Sequence, residues 1–250
     1  MKLLGKVALV TGAAHRVGKA MALALAGEGA VIVVHYGGSA DAAQDTAREI
    51  EALGRRVLLA QADMGNWDAA AALGETSLAH FGKVDILVNS ASSFVPNDYF
   101  STTEADFDRA FDVNAKGPFV LSQVIAQHMM SRDYADGDYS HIINIVDDGA
   151  FYPSTRYVAH SLSKAMLLAL THNPCLNFGP KVRVNAICPG PILKPVDYTE
   201  QQWQDLRNSN PLHALGTAEQ MGEIILFLIT GPQFINGDCI MLEGGRMWKR

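Results

Sequence analysis

Two basic side chains near residue 160 have the spacing of a proton-handling pair. His160 and Lys164 are four residues apart, which places them one turn apart on the same face of a helix, about 6 Å along its axis. Histidine donates protons near neutral pH, but a lysine ammonium one turn away favours the neutral imidazole, because like charges repel. Tyr157 shares this face but lies about 10 Å from Lys164 along the axis, which makes it a poor replacement for His160 unless the helix begins irregularly. The pattern predicts proton chemistry on this helix, with a weakened donor at His160.

A glycine-rich turn near the start of the chain predicts a site for an anionic ligand. A strand ends at Thr11, Gly12 follows, and a helix starts near Arg16, with Gly18 in its first turn. Backbone N–H groups and the positive end of the helix then point at the ligand, and a pyrophosphate fits there. Gly12 permits the tight turn, and Gly18 permits close packing of helix on strand. The alternative is an ordinary glycine-rich turn.

Two further strand ends favour a dinucleotide site over that alternative. Asp63 follows the third predicted strand, where its carboxylate can accept from an adenine amino group, and Asn89, Ser90 and Ala91 end the fourth. The carboxyl ends of parallel strands meet at one edge of a sheet, and ligands of open α/β sheets bind in the crevice there. We therefore expect these residues and the glycine turn to form one nucleotide crevice.

The residues after the second predicted strand favour NADPH over NADH. An acid at that position binds the ribose 2′-hydroxyl and repels a 2′-phosphate, and the run from Val34 to Ala40 contains no acid. Arg16, His35 and Ser39 are instead expected to receive a phosphate. The alternative for His35 is a buried or surface histidine without ligand contact.

The elements that position these residues follow from hydrophobic periodicity. Short apolar runs alternate with longer helical patterns, which predicts repeated βαβ units and a doubly wound parallel sheet (a Rossmann fold) with helices on both faces. We expect one domain over residues 1–250, with a substrate-covering loop at about 189–217. Pro174 is expected to kink or end the helix that contains it. The predicted strands are 7–10, 31–34, 57–60, 86–88, 142–146, 182–187 and 240–242, and the predicted helices are 16–28, 39–53, 66–81, 103–131, 155–178 and 218–230.

Composition excludes several classes of function. The net charge of -6 and the isoelectric point near 5.7 leave no general basic surface for nucleic acid. The three cysteines are scattered without metal-ligand spacing, so we expect no metal and no disulfide. The sequence offers no run of about 20 apolar residues that would span a membrane, and we expect a cytoplasmic protein.

These motifs resemble those of the short-chain dehydrogenase/reductase family over nearly the whole chain. The family's glycine pattern is matched by Gly12 and Gly18, with Arg16 in place of the middle glycine. Within the family, the chain is similar to the pteridine reductases and dihydromonapterin reductases. The residues that carry this similarity are Arg16, His35-Tyr36, Ser39-Ala40, the run from Asn89 to Phe94, Asp147 thirteen residues before His160, and the tail from Leu242 to Arg246.

The resemblance implies transfer of a hydride from a nicotinamide to a pterin-like ring. Phe94 would stack on that ring, and Ser92, Arg16 and Asp147 would also contact it; a plain core or loop aromatic is the alternative for Phe94. The resemblance also implies a homotetramer that acts on a small molecule. The expected cofactor-binding residues are Gly12, Arg16, Val17, Gly18, His35, Tyr36, Ser39, Asp63, Asn89, Ser90, Ala91, Lys164, Pro189 and Gly190.

The resemblance also assigns the catalytic residues. Asn114 and Lys164 match the family's proton-handling set, Asp147 occupies the serine position, and His160 occupies the tyrosine position. Our hypothesis is that Asp147 with water carries protonation, Lys164 mainly orients the nicotinamide ribose, and His160 holds the pocket or relays a proton. The alternatives are a helix-capping Asp147, a solvated Lys164 and a structural His160.

Three functions follow from this reading. The first is an NADPH-dependent reductase of a dihydropterin or related heterocycle. The second keeps the fold and reduces a carbonyl or 3-oxoacyl compound, against which Phe94 and Asp147 argue. The third is a catalytically impaired protein that binds NADP(H) or a pterin, because the expected tyrosine is absent.

Overall fold

One parallel sheet of seven strands forms the centre of the molecule. The computed structural model describes residues 1–135, 137–195 and 198–249. Within these residues the strand order is β3-β2-β1-β4-β5-β6-β7, and every pairing is parallel. The strands are β1 (Val7–Val10), β2 (Val31–Tyr36), β3 (Val57–Gln61), β4 (Ile86–Asn89), β5 (Ser140–Ile145), β6 (Val182–Pro189) and β7 (Cys239–Leu242).

Helices connect the strands and cover both faces of the sheet. Four of them, α3, α4, α7 and α8, begin at a side-chain cap that satisfies a free backbone N–H. Among the described residues the α-helices are α1 (Arg16–Gly27), α2 (Ala40–Ala52), α3 (Trp67–Phe81), α4 (Glu104–Phe111), α5 (Gly117–Ser131), α6 (Val158–Asn177), α7 (Glu200–Asn208) and α8 (Ala218–Thr230).

The alternation of side chains along β1 shows how the two faces are filled. Ala8 and Val10 pack into a cluster with residues of α1, α2 and α8, whereas Val7 and Leu9 pack into a second cluster with residues of α3 and α5. Successive residues of a strand point to opposite faces, so a continuous apolar run is buried on both sides. The predicted doubly wound fold is thereby confirmed.

Three elements differ from the sequence prediction. The predicted helix 103–131 is interrupted by one wide π turn, Asp112–Lys116, between α4 and α5. The predicted covering loop contains the helix α7, and residues 196 and 197 of that loop lie outside the described residues. Pro174 does not end its helix early, because α6 continues to Asn177. Pro174 lies in the last turn, where only three residues follow it.

The carboxyl ends of the strands gather the predicted site residues at one edge of the sheet. β1 lies between β2 and β4, so the chain crosses over at this point and leaves a crevice above the β1–β4 boundary.

In the described part of the chain, no helix is long and apolar enough to cross a membrane.

Candidate active site

A cavity of about 620 Å³ opens at this edge of the sheet. The turns that follow β1, β4, β5 and β6 line it, through Gly12, Ser90, Asp147 and Gly190. The volume lies within the range of small-molecule sites, roughly 300–1,000 Å³.

Most of the predicted site residues meet at this cavity. Four do not line it, although each lies close by: Tyr36, Ser39, Asn89 and Asn114. The predicted residues that line it are Gly12, Arg16, Val17, Gly18, His35, Asp63, Ser90, Ala91, Ser92, Phe94, Asp147, His160, Lys164, Pro189 and Gly190.

The glycine turn has the geometry that the sequence predicts. Gly12 has a φ of 66°, a left-handed conformation that favours glycine. A Cβ added at Gly18 would lie 2.3 Å from the carbonyl oxygen of Gly12, so helix and turn are as close as glycine allows. α1 begins at Arg16, as expected, and no side chain caps it, which leaves its first N–H groups for an anionic ligand.

Arg16 contacts the connection that follows β6. Its φ is 57°, in the left-handed region, and its guanidinium donates to the carbonyl oxygens of Leu193 (3.1 Å) and Lys194 (3.3 Å). Arg16 therefore ties the glycine turn to the segment after β6, whose residues Ile192 and Leu193 also line the cavity. Its predicted contacts with a phosphate or substrate stay predictions.

His35 has a structural role that differs from the predicted phosphate contact. The Gly12 N–H donates to Nδ1 at 3.1 Å, so the hydrogen of the neutral ring lies on Nε2, which donates to the Ala62 carbonyl oxygen at 3.1 Å. Burial lowers the pKa of His35, and the Ala62 bond and the Asp63 charge offset only part of that effect. Both ring nitrogens are thus engaged with the backbone, although the side chain still lines the cavity, and the phosphate contact of His35 stays a prediction.

Asp63 lies at the rim of the cavity in an ion pair. Its Oδ1 accepts from the Gly65 N–H and lies 2.9 Å from the Arg109 guanidinium. The Gly65 N–H, with Arg109, holds the pKa of Asp63 below its ordinary value, against the opposing effect of burial. Asp63 thus lines the cavity as a carboxylate paired with a cation that the sequence did not predict, and its adenine contact stays a prediction.

Asn89 points into the protein rather than into the crevice. Its Nδ2 donates to Ser122 Oγ (3.1 Å) and Asn144 Oδ1 (2.8 Å), and the residue is 1% exposed. Tyr36 packs against the core cluster of α1 and α2, and Ser39 is the N-cap residue of α2 without a side-chain capping bond. Contacts of these side chains with a cofactor stay predictions.

Asn114 organises the loop after β4 from the wide π turn. Its Oδ1 accepts from the Ser93 N–H (2.7 Å), and its Nδ2 donates to Ser93 O (3.0 Å) and Ser163 Oγ (2.8 Å). The side chain is fully buried. Asn114 therefore fixes Ser93, the residue between Ser92 and Phe94, relative to α6.

His160 and Asp147 form a direct contact inside the cavity. His160 Nε2 contacts Asp147 Oδ2, and His160 Nδ1 lies 2.9 Å from the Ser93 carbonyl oxygen. Burial raises the pKa of Asp147, but the bond to His160 and the charges of His160 and Lys164 outweigh it, so the pKa lies below its ordinary value. Beside His160 and Lys164, the ionised form of Asp147 is therefore favoured. Burial alone would instead favour the protonated carboxylic acid.

Lys164 is buried beneath this pair. Its Nζ donates to the Ile145 carbonyl oxygen at 2.7 Å, and burial lowers its pKa, which the Asp147 charge partly restores. The solvated alternative for Lys164 is therefore wrong. Orientation of a ribose by Lys164 stays a prediction.

Phe94 belongs to an aromatic group at the cavity mouth. Its ring stacks on Tyr157, with centroids 4.2 Å apart and planes at 16°, and lies perpendicular to the His160 ring at 4.7 Å. Phe94 is 48% exposed, so part of the ring remains open to a ligand.

Comparison with known proteins agrees with this geometry. The family model described as enoyl-(acyl carrier protein) reductase matches residues 12–246. A short-chain dehydrogenase of Burkholderia cenocepacia J2315, solved in complex with NADP, is 30% identical, with a TM-score of 0.90 over 99% of this chain and 100% of that chain. The protein is a short-chain dehydrogenase/reductase. It therefore belongs to a family of oxidoreductases.

Two other known proteins are similar to this chain over nearly its whole length. The uncharacterized oxidoreductase YohF of Escherichia coli is 28% identical, over 98% of this chain and 96% of the relative. The FolM alternative dihydrofolate reductase 1 of Brucella canis, complexed with NADP, is 26% identical, with a TM-score of 0.89 over 99% of this chain and 96% of that chain.

Several cavity residues of this short-chain dehydrogenase/reductase carry no sequence signal. Arg109 meets Asp63 across 46 positions, and the Arg246 guanidinium contacts Asp148 across 98, so no local spacing indicates either pair. Tyr157, dismissed on its distance from Lys164, lines the cavity through its stack on Phe94. The connection after β6 adds Tyr198, Trp203 and Leu206.

Proposed function

We propose that this short-chain dehydrogenase/reductase is an NADPH-dependent reductase of a dihydropterin or a related flat heterocycle. The observation that carries the proposal is that a half-exposed Phe94 ring and the Asp147 carboxylate line one cavity, each in contact with His160. A π face against a flat ring gives stacking, and a carboxyl group beside it gives a route for a proton to a ring nitrogen.

The residues of the crevice fit a phosphate-bearing dinucleotide. The glycine cradle at Gly12 and Gly18 excludes any side chain, and the start of α1 is uncapped. Two of the solved relatives contain NADP, and the segment between β2 and α2 offers no acid that would repel a 2′-phosphate. When bound, NADPH supplies the hydride.

Each residue then has a proposed task in the reduction. Phe94 and Ser92 hold the heterocycle, Asp147 delivers the proton, and Lys164 orients the ribose from beneath. The connection at 189–217 covers the substrate and excludes water, with Arg16 holding its first part. The name of the Brucella relative, a dihydrofolate reductase, supports a substrate with a dihydropterin ring.

Loss of nicotinamide absorbance tests the proposal. NADPH and a panel of dihydropterins, including dihydrobiopterin, are expected to give substrate-dependent oxidation of NADPH, faster than with NADH, and Asp147→Asn is expected to abolish most of it. If the protein turned over ketones or 3-oxoacyl compounds but no dihydropterin, the proposed substrate class would be wrong and the protein would be a carbonyl reductase. Tight NADPH binding without any turnover would indicate a binding protein.

The assembly and location are separate expectations. We expect a homotetramer in the cytoplasm. Light scattering of the purified protein measures its mass in solution, and a monomeric mass would overturn the expected assembly.

A further inference from the structure

Both ring nitrogens of His160 face oxygen atoms that accept hydrogen bonds. Nδ1 lies 2.9 Å from the Ser93 carbonyl oxygen, and Nε2 contacts Asp147 Oδ2. A carbonyl oxygen can only accept. The hydrogen of the first contact must therefore belong to Nδ1.

The hydrogen bonds of Asn114 support the assignment of a proton to His160 Nδ1, because both amide hydrogens of Asn114 are donated to other acceptors. The Asn114 Nδ2 group lies 3.3 Å from His160 Nδ1, but its two hydrogens are directed to Ser93 O (3.0 Å) and Ser163 Oγ (2.8 Å). Ser163 Oγ in turn donates to His160 O at 2.7 Å, so it accepts from Asn114. No donor is left for Nδ1, which carries its own proton.

We propose that His160 and Asp147 act as one acid, with a single proton shared between His160 Nε2 and Asp147 Oδ2, and that Ser93 and Asn114 fix this arrangement by holding the proton on Nδ1. With Nδ1 protonated, the contact holds either an imidazolium with a carboxylate or a neutral imidazole with a carboxylic acid. The pair has no net charge in either form. This inference rests on the proposed reduction, for which it supplies the proton.

Burial decides which member of the pair meets the substrate. The His160 side chain is 5% exposed, whereas the Asp147 side chain is 23% exposed and lines the cavity. Asp147 therefore delivers the proton, and His160 acts behind it as a positioning residue that stores the proton. The order is the reverse of a catalytic triad, in which the histidine faces the reacting atoms.

The buried cation below the pair balances the charge that remains. After delivery, the Asp147–His160 pair has lost one proton and carries one negative charge. Lys164 is close enough to interact with Asp147 electrostatically and stabilises that charge in a low-dielectric site. The other titratable or charged groups around the pair are Asp148, Arg246, Glu243 and Cys188.

The proton transfer is balanced in atoms and electrons. The O–H bond of Asp147 breaks and an N–H bond forms on the substrate nitrogen of a C=N bond. The electron pair of the reduction arrives with the hydride, which adds to the carbon of that bond. The coenzyme is oxidised and the heterocycle is reduced. A proton from water then restores the pair.

NMR of the protein without substrate tests the shared proton directly. In protein labelled with ¹⁵N-histidine, His160 is expected to show a proton on Nδ1 throughout the neutral range and a strongly downfield Nε2 proton. His160→Gln assigns these signals by removing them. Asp147→Asn is expected to abolish the downfield signal, whereas Asp148→Asn, which removes a carboxylate one residue away, is expected to keep it. A bare Nδ1, or a downfield signal that survives in Asp147→Asn, would overturn the proposal.

Kinetics of His160→Gln test its role in turnover. Glutamine can still donate a hydrogen bond to Asp147 but cannot release a proton, so we expect kcat to fall by about tenfold or more with KM changed by less than about threefold. The alkaline limb of kcat is expected to move to lower pH, because the imidazolium that retains the proton is gone. An unchanged kcat and pH profile would refute the role of His160. If the wild type turns over no dihydropterin, the proposed function fails, while the NMR result still decides the shared proton.

Discussion

The Phe94 ring is held in place by two other rings before any ligand arrives. It stacks on Tyr157 and lies perpendicular to His160, and both partners are at least nine-tenths buried. A ring that is already ordered loses little conformational entropy when a flat substrate binds. Phe94 is therefore suited to act as a platform for the proposed heterocycle.

Substitution of Phe94 is expected to affect substrate binding alone. Phe94→Leu removes the stacking contribution, about 0.5–1.5 kcal/mol, which corresponds to a rise in KM for the dihydropterin of about two- to tenfold. NADPH affinity, measured by titration of its fluorescence, is expected to stay within about twofold. Phe234→Leu is the matched control, because Phe234 is fully exposed. If KM for the dihydropterin rose equally in both variants, or did not rise in Phe94→Leu, Phe94 would not be part of the substrate site.

The sequence could predict which side chains reach the cavity but not how they bond. Asp147, His160 and Lys164 lie there because strand ends and helical spacing determine position, and Phe94, which the family resemblance assigned to the site, lies there too. The bonding of His160 depends on the backbone carbonyl of Ser93, and that of His35 on the backbone of Gly12 and Ala62. Hydrogen bonds to backbone groups do not depend on the type of residue that supplies them, so no sequence pattern predicts such bonds.

At the level of the elements, the β1–α1 unit depends on a single close approach. The position of Gly18 leaves no room for a Cβ beside Gly12, whereas Gly27 at the other end of the same helix has nothing within 4 Å of its Cβ position among the described residues. The two glycines share a helix and differ only in their surroundings.

Gly18→Ala is expected to weaken coenzyme binding strongly. The added methyl group must move α1 away from the turn, which costs about 1–3 kcal/mol of folding free energy and misaligns the N–H groups that face the ligand. We expect at least about a tenfold rise in the dissociation constant for NADPH, measured by calorimetry, and a lower melting temperature. Gly27→Ala is expected to leave binding unchanged and to stabilise the helix slightly. Normal binding by Gly18→Ala would place the coenzyme elsewhere.

The elements that the sequence failed to predict lack an apolar stripe or a regular period. α7 buries none of its residues, so hydrophobic periodicity could not reveal it, although Thr199 and Gln202 form a capping box at its start. The π turn Asp112–Lys116 leaves helical composition unchanged while it widens one turn. By contrast, all seven strands were predicted, because buried strands form continuous apolar runs.

At the scale of the whole molecule, Asp85 joins three elements at the edge of the sheet opposite the cavity. It lies directly before β4, accepts from the Val7 N–H of β1 at 2.8 Å, and pairs with Arg132 after α5 (2.8 Å) and with Lys83 (3.0 Å). Burial raises the pKa of Asp85, but the Val7 N–H and the two cations outweigh it, so the pKa lies below its ordinary value.

Asp85→Asn is expected to lower the free energy of unfolding by about 2 kcal/mol near neutral pH, because it removes the charged hydrogen bonds of a buried carboxylate. A carboxyl group whose pKa is depressed in the native state stabilises the protein above its unfolded pKa, about 3.9, and this contribution disappears as the pH falls through the native pKa. The difference between the two proteins should therefore shrink as the pH falls below about 3.9. Urea unfolding between pH 7 and pH 3 measures it.

The exposed pair of Arg48 and Asp45 supplies the control for this measurement. Asp45→Asn should change the free energy of unfolding by less than about 1 kcal/mol, because solvent screens an exposed pair. A loss of stability in Asp85→Asn that persists unchanged at pH 3 would show that the carboxylate charge is not responsible.

The wide turn that bears Asn114 couples the register of a helix to the chemistry of the cavity. A π turn contains one residue more than an α turn needs, so deletion of Asp112 or Val113 would restore regular winding and rotate Asn114 by about 100° relative to α4. The Asn114 side chain would then no longer hydrogen-bond the backbone of Ser93. Relatives that lack this extra residue would have to anchor the loop by other means, and an alignment that closes the gap would pair Asn114 with the wrong neighbour.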